Sequence, residues 1–301
     1  MGGGDWNDGM DKVGENGGES VWLGWFLWDV LGRMENVAKG LNKKADARRF
    51  AQRKERLKVN LEKTWDGAWY PRAYYSDGTP LGTRENAMCS IDCISQAWAA
   101  ICGGERADTA MESLLGMLYD EQEGIVKLLT PPFEPSDRSP GYIQAYIPGV
   151  RENGGQYTHG AAWAIKGLCA LNCGDKAQKL FDGLNPINHT LTRPQAMKYK
   201  TEPYAVGGDV YSEKNIGRGG WTWYTGAAGW LYKVCLEDML GIRRRGKQLE
   251  ISPTVPFESY TVEYRYGESL YILHLSGKSR GRVELVDDGL THEMTIDSTG
   301  D

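Results

Sequence analysis

The chain has little phenylalanine, no excess of basic charge and no long hydrophobic run, and each shortage excludes something. Its 301 residues carry a formal net charge of −5, which argues against the electrostatic footprint of a nucleic-acid binder. No apolar stretch has the length needed to cross a bilayer. The first residues lack the basic-then-apolar pattern of a secretory signal, so the sequence reads as cytoplasmic, and the sequon Asn188-His189-Thr190 has no use there. Gly-Lys-Ser/Thr is absent, so none of the glycine-rich loops is a P-loop. Heptads and low-complexity tracts are absent too.

Six cysteines are present, at 89, 93, 102, 169, 173 and 235. Cys89/Cys93 and Cys169/Cys173 are each four apart in segments with a helical pattern, a spacing poor for a disulfide within one helix. The expectation is buried, reduced thiols rather than a metal site, and the sequence calls for no metal.

The shortage of phenylalanine stands against a surplus of other aromatics: 5 Phe but 11 Trp and 16 Tyr. Trp and Tyr combine an apolar face with a polar edge. Sugar rings have apolar C–H faces and hydroxyl rims, so carbohydrate clefts favour these residues. A tryptophan-rich core would account for the same count.

The hydrophobic pattern predicts helices over about 19–41, 46–64, 89–102, 105–119, 157–172, 175–184 and 225–241. The first is apolar nearly all round (Val21 to Trp28) and the second is charged with a thin apolar stripe, as in a buried helix followed by an outer one. Residues 130–155 read as a long proline-rich loop, and such loops inside compact domains are usually functional. Residues 185–220 read as mostly irregular. After Arg243-Arg244-Arg245-Gly246 the period changes to two, with strands at Leu249–Ile251, Tyr260–Tyr264, Ser269–Leu275, Arg282–Val286 and Glu293–Ile296. The fold class expected is mainly α: a partial (α/α)6-barrel-type toroid over residues 1–242, then a β-sandwich-like module over 243–301.

Three glycine-rich loops carry candidate chemistry. The first is Gly2-Gly3-Gly4-Asp5-Trp6-Asn7-Asp8-Gly9-Met10. An acid that protonates a departing glycosidic oxygen must be held in place and partly desolvated, and Trp6 could supply an apolar wall. An Asx-rich turn without chemistry fits the same residues. The second is Pro148-Gly149-Val150-Arg151-Glu152-Asn153-Gly154-Gly155-Gln156-Tyr157-Thr158-His159, which places His159 in the first turn of a helix. The third is Gly217-Arg218-Gly219-Gly220-Trp221-Thr222-Trp223-Tyr224-Thr225-Gly226, with Thr225 as a helix N-cap and Gly226 exposing backbone N–H groups. Helix N-termini attract anions because their N–H groups lack partners and the dipole is positive there. Two such termini could share one phosphate, although ordinary capping explains each alone.

Taken in order and spacing, Asp-Trp-Asn-Asp-Gly, Pro-Gly-Val-Arg-Glu-Asn-Gly-Gly-Gln-Tyr-Thr-His and Gly-Trp-Thr-Trp-Tyr-Thr-Gly resemble the inverting glycoside phosphorylases of glycoside hydrolase family 94. The resemblance runs from residue 2 into the β-module. Gly18-Glu19-Ser20-Val21-Trp22-Leu23, Asp77-Gly78-Thr79-Pro80-Leu81-Gly82, Leu129-Thr130-Pro131-Pro132-Phe133 and Leu184-Asn185-Pro186-Ile187-Asn188-His189 look like the β-1,2-glucan branch, of cyclic glucan synthase or oligoglucan phosphorylase type.

The resemblance implies roles. Asp8 would be the general acid, Trp6 would line the sugar site, and His159, Thr225 and Gly226 would hold phosphate. Arg151 would contact the leaving sugar. The reaction implied is phosphate-dependent inverting cleavage of a β-glucoside, or its reverse, giving α-glucose 1-phosphate. Inorganic phosphate is the co-substrate and no other cofactor is called for. Two other readings stay open: a glucan-binding or regulatory remnant, and an inverting hydrolase with Glu152 or Glu85 as base. Family 94 catalytic domains extend upstream of the first motif. The expectation is therefore a fragment that works with a missing N-terminal segment or a homodimer partner, or forms the cytosolic part of a larger membrane-bound synthase.

Overall fold

The computed structural model describes residue 1 and residues 4–297. Gly2 and Gly3 of the first motif, and residues 298–301 of the expected β-module, lie outside the described residues. The described helices are α1 (Val21–Gly40), α2 (Lys44–Glu62), α3 (Cys93–Ile101), α4 (Ala107–Leu118), α5 (Thr158–Ala170), α6 (Gly174–Leu184), α7 (Arg193–Tyr199) and α8 (Thr225–Lys233).

Burial sets α3 and α5 apart as the most enclosed helices. Helix α3 buries every residue from Cys93 to Ala100, whereas α2 fully buries only Ala47 and Leu61. In α4 the buried positions are Ala107, Ala110, Met111, Leu114 and Leu118, a single stripe of helical period. Helix α1 packs on α2 and α3, α3 on α4 and α5, and α5 on α6 and α8. Thus α1, α3, α5 and α8 are successive neighbours, and α2, α4 and α6 lie outside them. The sequence pattern predicts this order of neighbours, but α1, expected to be buried on most sides, buries only Val21, Trp22, Trp25, Leu31 and Ala38 and exposes Leu27, Met34 and Val37.

Tryptophan holds the buried row together. The Trp22 ring of α1 stacks on Trp163 of α5 at 5.8 Å, and Trp98 of α3 meets Trp163 edge-on at 5.3 Å. Such pairs add about 0.5–1.5 kcal/mol each beyond area burial. Trp22, Trp25, Trp69, Trp98 and Trp163 all sit in the core, so much of the tryptophan surplus belongs to packing rather than to sugar contact. Between α3 and α5 the backbones approach closely. A Cβ on Gly167 would lie 3.1 Å from the Ala97 carbonyl oxygen, so a larger residue there requires the two helices to move apart slightly.

Several boundaries differ from the sequence pattern. Helix α3 begins at Cys93 rather than 89, because Cys89 has a left-handed φ of 48° and Ile91–Asp92 pair with Leu129–Thr130. Asp92 then caps α3, accepting from the Ile94 N–H. Helix α7 occupies a segment expected to be irregular, and its signal was present: Thr192 and Gln195 form a capping box, with Pro194 in the first turn. Helix α8 passes into a π-helical turn, Val234–Met239, instead of running on to 241. Cys173 and Cys235 are only half-buried, while the other four cysteines are buried and all six are free thiols.

Strands dominate after the π-turn. Ile242–Arg245, which the pattern left outside the strands, pairs with Gln248–Ile251 around Gly246. Gly281–Glu284 pairs with Gln248–Ile251 on its other side. A second sheet joins Tyr260–Tyr266 antiparallel and Thr291–Thr295 parallel to Ser269–Leu275. Ile242, Leu249, Ile251, Tyr271, Leu273, Leu275, Val283 and Leu285 from both sheets form one apolar cluster. No helix among the described residues is long and apolar enough to cross a membrane.

Candidate active site

Asp5 and Asp8 of the first loop have opposite surroundings. Asp5 is buried, and its carboxylate takes the guanidinium of the fully buried Arg72 on both oxygens. Ser20 donates to Asp5 as well and caps α1 by accepting from the Leu23 N–H at 3.1 Å. Burial opposes the Asp5 charge, but the Arg72 guanidinium and these hydrogen bonds outweigh it and hold the carboxyl below its ordinary value. Arg72 Nε also lies 3.4 Å from Asp92, whose acid burial pushes up to about 6. Asp5 is thus engaged in anchoring the loop to the start of α1. Asp8 is exposed and opens a 3-10 segment, Asp8–Gly17. Between them Asn7 is buried, with both side-chain amide atoms lacking a partner among the described residues.

Trp6 differs from the expectation. Its indole N–H donates to Nδ1 of His159 at 3.3 Å, and its ring sits edge-on against Tyr157, His159 and Trp163. It is half-buried, and its polar edge is used to orient a histidine. Because Nδ1 accepts this bond, the proton of the neutral ring is on Nε2. His159 Nε2 is buried and has no partner among the described residues. Burial pushes this imidazole down to about 4, so at neutral pH it is an uncharged donor.

His159 is the second residue of α5, where backbone N–H groups lack helical acceptors. Its ring lies against the start of α8: a Cβ on Gly226 would be 3.8 Å from His159 Nδ1. Thr225 is not the N-cap that the sequence suggests. Tyr224 takes that position with extended backbone and no side-chain cap, because Trp223 before it is left-handed (φ 62°) and turns the chain one residue earlier. Thr225 is the first helical residue, and both it and Gly226 are exposed. The structure therefore brings His159, Thr225 and Gly226 together at two adjacent helix N-termini.

Arg151 is half-buried in the second loop. Its guanidinium sits over Tyr146 at 5.0 Å and Trp221 at 5.9 Å, and its Nε contacts Glu152 at 3.3 Å. Burial raises the Glu152 acid despite this pair. Tyr142 and Tyr146 connect Arg151 to the first loop. The Asp8 carboxylate beside Tyr142 pushes that phenol well up, and Tyr142 meets Tyr146 edge-on at 6.3 Å. Burial, followed by the Glu152 charge, raises Tyr157 to about 12. Glu85 is exposed on the loop after Thr83 and touches none of these groups among the described residues.

Two residues that the sequence did not single out assemble the loops. Asp209 is buried, and its carboxylate accepts the backbone N–H of Arg151 at 3.2 Å and of Trp221 at 3.0 Å. Its strand partner is Tyr157, so one side chain fixes the second and third motifs relative to each other. Asn153, part of the second motif, staples the long loop. It accepts from the Phe133 N–H and donates to the carbonyls of Phe133 and Tyr146. The only sequence signal for Asp209 was a carboxylate in an apolar stretch, Gly208-Asp209-Val210.

A cavity of about 470 Å³ elsewhere has a different character. It lies between the middle of α1 and the C-terminal end of α5, and several of its charges pair among themselves: Lys166 and Arg243 with Asp238, and Arg33 with Asp29.

Comparison with known proteins follows the same lines. A family model described as "Glycosyl hydrolase 94 superfamily, catalytic domain" matches residues 1–241. The chain is 46% identical over 286 residues to the cyclic beta-(1,2)-glucan synthase NdvB of Rhizobium meliloti (strain 1021), covering 92% of this chain and 10% of that protein. It is 29% identical to the solabiose phosphorylase of Paenibacillus borealis, covering 98% of this chain and 41% of that one. It is 32% identical to the 3-O-beta-D-glucopyranosyl-beta-D-glucuronide phosphorylase of the same organism, covering 96% and 38%. The chain thus spans less than half the length of these relatives. Among solved structures, a sialidase aligns with a TM-score of 0.55 at 10% identity, over 87% of this chain and 24% of that one, a likeness of fold alone.

Proposed function

The chain belongs to the glycosyl hydrolase 94 superfamily, and from that premise we propose that it is the phosphate-site and acid-bearing part of an inverting glycoside phosphorylase acting on a β-glucan. The observation that carries this reading is His159. Its tautomer is fixed by Trp6, its Nε2–H has no partner among the described residues, and the Nδ1–Cε1 edge of the same ring faces the start of α8 at Gly226. A neutral donor between two helix N-termini suits an anion, and the Thr225 hydroxyl is exposed beside it. Phosphate is therefore the co-substrate in this reading, and no metal or organic cofactor enters the reaction.

In the proposed reaction a phosphate oxygen attacks the anomeric carbon in line, forming a C–O bond with inversion. The bond to the glycosidic oxygen breaks, and Asp8 supplies the proton that this oxygen takes up. A β-glucoside gives α-glucose 1-phosphate. An inverting hydrolase needs a second carboxylate to activate water; phosphate is already an anionic nucleophile, so one acid is sufficient. Arg151, set between Tyr146 and Trp221, would face the leaving sugar. The 46% identity to a cyclic β-(1,2)-glucan synthase favours a β-1,2 linkage. We take the arc of α1, α3, α5 and α8 as part of an (α/α)6 toroid over residues 1–242, with residues 243–301 as the β-module, working with further protein segments in a cytoplasmic setting.

The test is incubation of the chain with linear β-1,2-gluco-oligosaccharides and inorganic phosphate, followed by phosphorus NMR. Wild type is expected to form α-glucose 1-phosphate and Asp8→Asn to form none. Sugar phosphate that persists in Asp8→Asn removes Asp8 as the acid. Glucan binding without any phosphate-dependent product identifies a binding remnant instead.

A further inference from the structure

We propose that Tyr204, Trp221 and Trp223 form an aromatic platform that binds the glucan chain beyond the sugar at the reacting bond. The proposal rests on the glucan reading above and extends it to further sugar subsites.

While much of the tryptophan is spent in the core, these three rings are 77%, 62% and 65% exposed. Two of them are neighbours, and the third lies at the candidate site. Tyr204 and Trp223 lie 6.1 Å apart, and Trp221 lies 6.5 Å from Tyr224. Trp221 also carries the Arg151 guanidinium at 5.9 Å. The platform thus has one ring, Trp221, at the residue proposed to meet the leaving sugar, and a pair, Trp223 with Tyr204, that begins two positions further along the chain.

The rings are held rather than loose. Thr222, between the two tryptophans, bridges Gly207, and the Gly208 N–H donates to the Trp221 carbonyl. The Trp221 N–H is taken by buried Asp209, and the Trp223 indole N–H by Glu202 at 3.4 Å. Trp223 keeps a left-handed φ of 62°. A bulky residue adopts that conformation only where its surroundings enforce it. An exposed indole whose polar edge is already bonded to protein offers its apolar face to a ligand.

The chemistry of the patch selects a sugar. The exposed face of α1 presents mostly aliphatic side chains, Leu27, Met34 and Val37, with Phe26 stacked on Trp22. The platform instead presents flat faces of Trp and Tyr, which match the C–H faces of pyranose rings. Successive rings then allow successive glucose units to add affinity, roughly three- to tenfold for each stacked unit.

The experiment measures binding of linear β-1,2-gluco-oligosaccharides of two to seven units to the whole chain, by calorimetry and tryptophan fluorescence, with phosphate present. Affinity is expected to rise with length. Tyr204→Ala and Trp223→Ala are expected to flatten the rise while leaving the disaccharide unaffected. Tyr204→Ala, which has ordinary backbone, serves alone if Trp223→Ala disturbs folding by circular dichroism. A length dependence that survives in the variants overturns the platform. So does self-association of the chain in sedimentation that Trp223→Ala abolishes, since the patch then covers protein. Binding of phosphate and disaccharide with no length dependence overturns the platform alone. No binding of phosphate or of any sugar overturns the underlying reading as well.

Discussion

Trp6 donates its indole N–H to Nδ1 of His159, a bond of 3.3 Å between residues 153 positions apart. It joins the loop that carries Asp8 to the helix start proposed to hold phosphate. It also decides which nitrogen of His159 bears the proton, so a residue expected to line a sugar site acts first on the anion site.

Trp6→Phe keeps the ring but removes the donor. A net hydrogen bond contributes about 0.5–1.5 kcal/mol, so phosphate affinity is expected to fall roughly two- to tenfold with the fold intact. Calorimetric titration with inorganic phosphate checks this. Unchanged affinity would mean that the tautomer is set by something else.

His159 gives a pH signature. Its pKa is pulled from an unfolded value of about 6.5 down to about 4 by burial. The native state therefore prefers the neutral ring. The associated stability is present above about pH 6.5 and is lost as the pH falls through about 4. In phosphate-free buffer, wild type is expected to lose more stability than His159→Gln over that window, measured by urea unfolding. Proton NMR of the ring should show a midpoint near 4, and a midpoint near 6.5 refutes the buried, neutral histidine.

The two aspartates of the first loop separate fold from chemistry. Asp5→Asn leaves the fully buried Arg72 without its main counter-charge, a loss of about 3–5 kcal/mol. Asp8→Asn alters an exposed side chain and is expected to leave the unfolding midpoint unchanged while stopping sugar-phosphate formation. Equal destabilisation by both variants contradicts this division.

Two glycines of the third motif make a similar contrast. A Cβ on Gly220 would lie 2.3 Å from Asp209 Oδ1, so Gly220→Ala is expected to displace the carboxylate that joins the motifs and to lower the melting temperature. A Cβ on Gly226 meets nothing nearer than the His159 ring at 3.8 Å. Gly226→Ala is expected to preserve stability and weaken phosphate binding, because it crowds the N–H groups that a ligand would approach. Thermal melts with and without phosphate distinguish the two.

Glu152 separates phosphorolysis from hydrolysis. Its carboxylate is paired with Arg151, and a guanidinium partner weakens a carboxylate as a base for water. Glu152→Gln is expected to retain phosphate-dependent product. Free glucose released without phosphate, and lost in this variant, establishes the hydrolase reading instead.

Much of this arrangement was legible in the residues. Burial periodicity marked α1 through α6, since a helix with one apolar face must hide it, and period-two alternation marked Ser269–Leu275. The three motifs were visible because glycine-rich loops that enter helices have a local signature. The local code also held the capping box of α7, unread. What it did not hold was the start of α3, where a strand pair formed with Thr130 competes with helix propensity.

The sequence by itself determined the elements, their inner and outer faces, and a set of chemically capable residues, because these follow from interactions between near neighbours. Only the tertiary structure decided what each residue does. It assigned Asp5 to Arg72 and left Asp8 exposed, turned Trp6 towards His159, set His159 against Gly226, and put Asp209 between two motifs. Those outcomes depend on pairings across 58 to 153 positions of chain, where spacing in sequence carries no information about distance and only the packing of the helices sets it.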